Sequence, residues 1–145
     1  MAHLEEILGS ELIGQDGSVV PVSSLTDVDL IGIYFSAHWC PPCRGFTPVL
    51  GDFYKKLRAA GKKFEVVFVS SDRDQASCKE YYDSMPWLLL PYAERGLKES
   101  LAEKYSIRGI PTLVLVDPKD GSTISSEGRN IVTADSDGEE FPWKK

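Results

Sequence analysis

Three runs of this chain, DLIGIYFSA from Asp29, FEVVFVSSD from Phe64 and IPTLVLVDP from Ile110, are apolar at consecutive rather than alternate positions. Successive side chains of a strand point to opposite faces of its sheet, so a strand of this kind needs cover on both faces. Between the runs lie stretches of helical period. Phe46, Val49, Leu50, Phe53, Tyr54 and Leu57 recur at helix spacing up to Gly61-Lys62-Lys63, and Pro48 within that stretch predicts a kink. DQASCKEYYDSM carries a mostly apolar stripe of Ala76, Cys78, Tyr81, Tyr82 and Met85, and GLKESLAEKYS forms a further helix ended by Arg108-Gly109. Strands alternating with helices imply an α/β sandwich whose sheet is parallel at its centre.

The ends of the chain extend this frame. ELIG, QDGS and VVPV predict a short hairpin near the N-terminus, an edge rather than a core element. PWLLLPY has room for only a short piece between its prolines, and KDGS turns the third core strand into an edge strand, TISSEGR. The tail DSDGEEFPWKK is polar up to Phe141 and Trp143, which are expected to pack back on the body. With 145 residues, no internal repeat and no linker, one domain is expected over 1-145, with a core of about 28-130 and the tail at 131-145.

Composition narrows the partners. A net charge of -6 argues against direct nucleic-acid binding, which needs concentrated Lys and Arg. The N-terminal MAHLEEILGSEL lacks a basic stretch followed by a long apolar one, so a cytoplasmic chain without a membrane partner is expected.

The chemistry concentrates in SAHWCPPCRGFTP, Ser36 to Pro48, where Cys40 and Cys43 form a C-x-x-C pair. Such a pair can be half of a zinc site, a structural disulfide or a working dithiol. Zinc needs four ligands, and the chain has no second pair at ligand spacing, so no metal is expected. The missing secretory pattern weighs against a structural bridge. For a dithiol the placement is favourable: Cys40 stands at a strand end and a helix start, where free N–H groups and the helix dipole favour an anion. A thiolate so placed has a pKa pulled from about 8.5 toward the range of about 3.5 to 7.5. Cys43, one turn into the helix and less accessible, suits attack on a mixed disulfide at Cys40. Pro41 and Pro42 restrict the loop between the two cysteines.

WCPPC after an apolar strand, Pro48 in the following helix and Ile110-Pro111-Thr112 before a strand resemble the thioredoxin superfamily. The blocks YFSAHWCPPCRGFTPVL, FEVVFVSSDRD, YYDSMPWLLLPY, IRGIPTLVLVDP and EEFPW are more closely similar to its nucleoredoxin and tryparedoxin branch. The resemblance implies a thioredoxin fold: a central mixed β-sheet sandwiched by helices, here with an N-terminal β-hairpin extension. It also implies that Cys40 is the nucleophile, Cys43 the resolving thiol and Trp39 an exposed aromatic beside them. Pro111 matches the family's cis-proline, whose loop lies against the active-site sulfur, and the backbone of Ile110 is expected to pair with an extended substrate segment.

Where thioredoxins keep a buried carboxylate, six positions before the nucleophile, this chain has Tyr34. Proton transfer for Cys43 then needs another group or water. Asp72, at the end of a neighbouring strand, is the candidate, with a turn or helix-cap residue as the plainer reading. His38 fits either thiolate support or a solvated turn. Cys78 falls on an apolar stripe, as buried filler or, alternatively, as a regulatory thiol able to link two chains on oxidation. Arg44, Arg73 and Arg129 are either solvated charge or contacts for an acidic partner or for glutathione-like carboxylates.

The resulting expectation is a protein-disulfide reductase without a cofactor, monomeric, acting on disulfide-containing proteins. Its reductant would be a thioredoxin reductase, glutathione or trypanothione system. The alternative is a redox-dependent binding module for signalling or transcription proteins, which extends the expected location to the nucleus. A peroxidase would need a P-x-x-x-T-x-x-C run, which the sequence lacks.

Overall fold

In the computed structural model, which describes residues 2–143, the doubly apolar runs become the centre of a seven-stranded sheet ordered β2-β1-β5-β4-β3-β6-β7. The strands are β1 (Glu11–Ile13), β2 (Val19–Pro21), β3 (Leu30–Ser36), β4 (Phe64–Ser70), β5 (Leu88–Leu89), β6 (Thr112–Val116) and β7 (Thr123–Ser125). The helices are α1 (Ala2–Leu8), α2 (Pro41–Ala59), α3 (Gln75–Tyr82), α4 (Arg95–Lys104) and α5 (Gly128–Ala134), with a 3-10 helix at Val22–Asp27. β3 pairs with β4 in parallel and with β6 antiparallel, and β5 extends the parallel side, so the sheet is mixed. A mixed sheet with helices on both faces is the α/β architecture that the resemblance implies.

The need for two covered faces is met by two cores. Leu30 and Tyr34 of β3, with Phe64, Val66 and Phe68 of β4, face α2, α3 and α5. Ile31, Ile33 and Phe35, with Val67 and Val69, face α1, α4 and the 3-10 helix. All ten side chains are buried, each stabilising the fold by about 1.5–3 kcal/mol relative to exposure.

Several elements differ from expectation. The N-terminal segment forms α1, whose Leu4 and Leu8 are buried in the second core and whose chain turns out at Gly9 with φ 77°. PWLLLPY contributes the two-residue β5, which joins the N-terminal hairpin to the sheet through Ile13 opposite Leu89. Residue 130, the expected limit of the core, falls inside α5. Helix α2 runs from Pro41 to Ala59 with Pro48 inside it, as the sequence spacing has it. Of the tail, residues 144-145 lie outside the described residues; Phe141 and Trp143 meet the rings of Phe64 and Phe53 at 6.2 and 5.9 Å. Among the described residues no helix is long and apolar enough to cross a membrane.

Gly128 positions α5. A Cβ there would stand 2.5 Å from the Leu113 carbonyl oxygen, so only glycine lets the helix start against β6. The next residue, Arg129, thereby reaches the Pro111 carbonyl with Nη1 at 3.3 Å.

Candidate active site

Parallel pairing sets the site. Ser36 and Ser70 lie opposite each other at the ends of β3 and β4, so the segments that leave these strands run side by side. Residues 37-40 lead into α2, with Cys40 as its N-cap in extended conformation (φ −95°, ψ 109°) and Pro41 and Pro42 at its first positions. Proline suits this place, because the first helical N–H groups have no partner inside the helix.

Cys40 and Cys43 are joined as a disulfide, with Cα atoms 5.2 Å apart. Cys40 Sγ accepts the N–H of Cys43 at 3.3 Å and lies 3.9 Å from the Ile110 carbonyl oxygen. Both cysteines are buried, Cys43 completely, and they pack with Ala37 and Ile110. The Ile110-Pro111 peptide is cis. Trp39, by contrast, is 51% exposed; its Nε1 donates to the Ser71 carbonyl at 3.1 Å, which holds the ring beside the cysteines.

Asp72 is buried, and both of its carboxylate oxygens are engaged. Oδ1 accepts the His38 N–H at 2.7 Å and Oδ2 the Ser70 hydroxyl at 2.7 Å, while its own carbonyl accepts from Tyr92 at 2.9 Å. This geometry ties the turn before Cys40 to the end of β4. The helix cap of α3 is a different residue, Asp74, whose Oδ1 accepts the Ser77 N–H at 2.8 Å.

Tyr34 is wholly buried, and burial raises its phenol well above its ordinary value. Its hydroxyl shares a hydrogen bond with Thr47 Oγ1 at 2.7 Å and reaches the Cys43 carbonyl at 3.4 Å. Thr47 Oγ1 also bonds that carbonyl, at 2.9 Å, and Tyr81 at 2.6 Å; Tyr81 bonds Ser36 at 2.9 Å. Where a carboxylate would sit in a thioredoxin, a buried chain of hydroxyls ends on the backbone of Cys43. His38 stacks on the Tyr81 ring at 5.1 Å.

The chain thus brings together Cys40, Cys43, Trp39, Ile110, Pro111 and, through His38, Asp72. Cys78 lies on α3 and lines a separate cavity of about 410 Å³ beside the N-terminal hairpin. Burial pushes its thiol pKa up. Thr47 does not stand out in the sequence, and Tyr81 stands there only as one member of a mostly apolar stripe. The available signal was position: Thr47 is one helical turn after Cys43, on the face that carries Phe46 and Leu50 inward.

Residues 27–123 match the family model described as thioredoxin-like. The chain is 45% identical to mouse nucleoredoxin over 138 residues, which is 95% of this chain and 31% of that protein; it spans about a third of the relative's length. It is also similar to the solved tryparedoxin from Trypanosoma brucei, with 39% identity, a TM-score of 0.91 and 99% of each chain covered. A structure described as tryparedoxin II complexed with glutathionylspermidine superposes with a TM-score of 0.90 at 36% identity, again over 99% of each chain.

Proposed function

The chain belongs to the thioredoxin-like family, within the branch that holds nucleoredoxins and tryparedoxins, and from that premise we propose that it reduces disulfides of partner proteins. In the reduced state the Cys40 thiolate attacks one sulfur of the target disulfide. A Cys40–target bond forms, the target S–S bond breaks, and the leaving thiolate takes a proton. The Cys43 thiolate then attacks Cys40 Sγ, expelling the second target thiol and closing the Cys40–Cys43 disulfide. Two electrons pass from the dithiol to the target, and an external thiol or reductase restores the pair.

One observation carries this reading: Cys40 Sγ sits at the N-terminus of α2, within reach of the Cys43 N–H and beside the cis Ile110-Pro111 step. That N–H favours negative charge on Cys40, the form in which it attacks. The cis-proline loop supplies an extended edge along which a target segment can lie. We assign the return step to a low-molecular-weight thiol of the glutathione or trypanothione type or to a thioredoxin reductase. The complex of tryparedoxin II with glutathionylspermidine is the precedent for the first.

Insulin reduction driven by dithiothreitol tests the proposal. Wild type is expected to accelerate it, Cys40→Ser to abolish the acceleration, and pre-reduced Cys43→Ser, mixed with insulin after the dithiothreitol is removed, to accumulate a mixed disulfide at Cys40. Full activity in Cys40→Ser would overturn the mechanism.

A further inference from the structure

The rim on the Trp39 side of the dithiol is cationic in a chain whose net charge is -6. Arg73 lies over the Trp39 ring at 5.9 Å, and Arg44, directly after Cys43, lines the same open cavity of about 480 Å³. Both arginines are exposed, and among the described residues neither has an ion pair. Two acids line the same cavity, and of these Asp74 is exposed. Asp72 is buried on His38 and Ser70, and Asp74 caps α3 through Ser77. Two exposed guanidinium groups therefore stand against one exposed carboxylate, which leaves a positive outward balance beside Cys40.

Trp39 gives this rim a defined shape, because its Nε1 bond to Ser71 holds the ring and the ring in turn carries the Arg73 guanidinium. A guanidinium presented in this way can meet a carboxylate through two parallel hydrogen bonds. On an exposed surface such a pair is weak for a free anion. It counts for more when the mixed disulfide at Cys40 has already brought the neighbouring side chains of the target alongside, since the second contact is then intramolecular.

We propose that Trp39, Arg73 and Arg44 form a docking rim for an acidic segment of a partner protein, whose Asp or Glu lies next to the disulfide that Cys40 attacks. This inference rests on the oxidoreductase reading and adds the substrate class. The negative remainder of the surface repels an acidic partner elsewhere, so the rim also orients its approach.

Pre-reduced protein in single turnover against three disulfide peptides, alike except for Asp, Gln or Lys flanking the cysteine, provides the test. At low salt the expected order is acidic, neutral, basic, with the acidic peptide about fivefold faster than the basic one and the spread shrinking at high salt. Arg73→Glu is expected to invert the acidic-to-basic ratio. Lys119→Glu makes the same change in net charge in the exposed turn beyond the far end of β6, and is expected to leave that ratio within about twofold of wild type. Equal rates for the three peptides would overturn the proposal, as would a ratio that Lys119→Glu lowers as far as Arg73→Glu. If none of the peptides is reduced, the oxidoreductase reading itself falls and takes this inference with it. If they are reduced without charge preference, only the inference falls.

Discussion

Asp72 Oδ1 accepts the backbone N–H of His38 at 2.7 Å, joining the end of β4 to the turn that delivers Cys40. The same carboxylate takes the Ser70 hydroxyl on Oδ2, so its geometry is that of a clamp between two parallel strands. A clamp and a proton carrier respond differently to substitution. Asn keeps an oxygen for the His38 N–H but cannot accept and release a proton at neutral pH; Ala removes both functions. As a clamp, Asp72→Asn is expected to hold disulfide reduction within about threefold of wild type while Asp72→Ala loses about tenfold, equivalent to about 1.4 kcal/mol in the barrier. Steady-state rates of both variants check this. Equal losses in the two would instead place the carboxylate in the proton path.

The hydroxyl chain of Ser36, Tyr81, Thr47 and Tyr34 stands or falls with Thr47, which bonds both tyrosines and the Cys43 carbonyl. Thr47→Val preserves the shape of the side chain but leaves Tyr34 short of its best partner, deep in the core. Burial of a hydroxyl without its hydrogen bond costs about 1–3 kcal/mol, so Thr47→Val is expected to lower unfolding stability by that amount and Thr47→Ser by less than about 1 kcal/mol. Urea denaturation of the reduced proteins measures both. Indistinguishable midpoints for wild type and Thr47→Val would remove the network from the energetics.

The contrast between what could and could not be read in the sequence has a physical basis. β3, β4 and β6 were legible because Ile31, Ile33 and Phe35 alternate with Leu30 and Tyr34 into two separate cores, leaving an unmistakable apolar run. The dithiol was legible because its chemistry is local: Cys40, Pro41 and Cys43 fall within one turn of α2. α1 carried a weak signal, Leu4 and Leu8 ahead of Gly9, and a helix of seven residues draws its stability from packing more than from propensity. α5 is GRNIVTA, rich in β-branched residues and without a side-chain cap, and it is held by Val132 in the core and by the glycine contact with Leu113. The partners of Asp72 and Thr47 depend on register across 34 residues each, which no local pattern encodes.

Cys78 is expected to be inert in the native protein. It is 1% exposed, burial pushes its thiol pKa up, and the Asp72 carboxylate adds to the rise while the Ser70 hydroxyl and Arg95 oppose it. A thiol that is both protonated and covered reacts slowly with alkylating reagents. Brief iodoacetamide treatment of the reduced, folded protein should therefore add one group, at Cys40, whereas urea-unfolded protein should take up all three, and oxidation should yield no Cys78-linked dimer. Peptide mass mapping identifies the sites. Labelling of Cys78 at a rate within about tenfold of Cys40 would restore a regulatory thiol as the better reading.

Glu65 gives stability a pH dependence of the less common sign for an acid. Burial raises its carboxyl pKa above the ordinary 4.5, against the opposing pull of the Val66 N–H, the Tyr54 hydroxyl and Arg58. The native state then binds the proton more tightly than the unfolded chain does, so this group's contribution is fully present below the unfolded value and is lost as pH rises through the raised native value. Glu65→Gln keeps an oxygen for Tyr54 Oη and the Val66 N–H, at 2.9 and 3.0 Å in the wild type, and removes the titration. The stability of Glu65→Gln relative to wild type should therefore increase as pH is raised from about 4 and level off once pH has passed the raised native value. Denaturation midpoints of the two proteins across that range measure the difference. A relative stability that falls with rising pH would mean that Arg58 and the hydrogen bonds outweigh burial at this carboxylate.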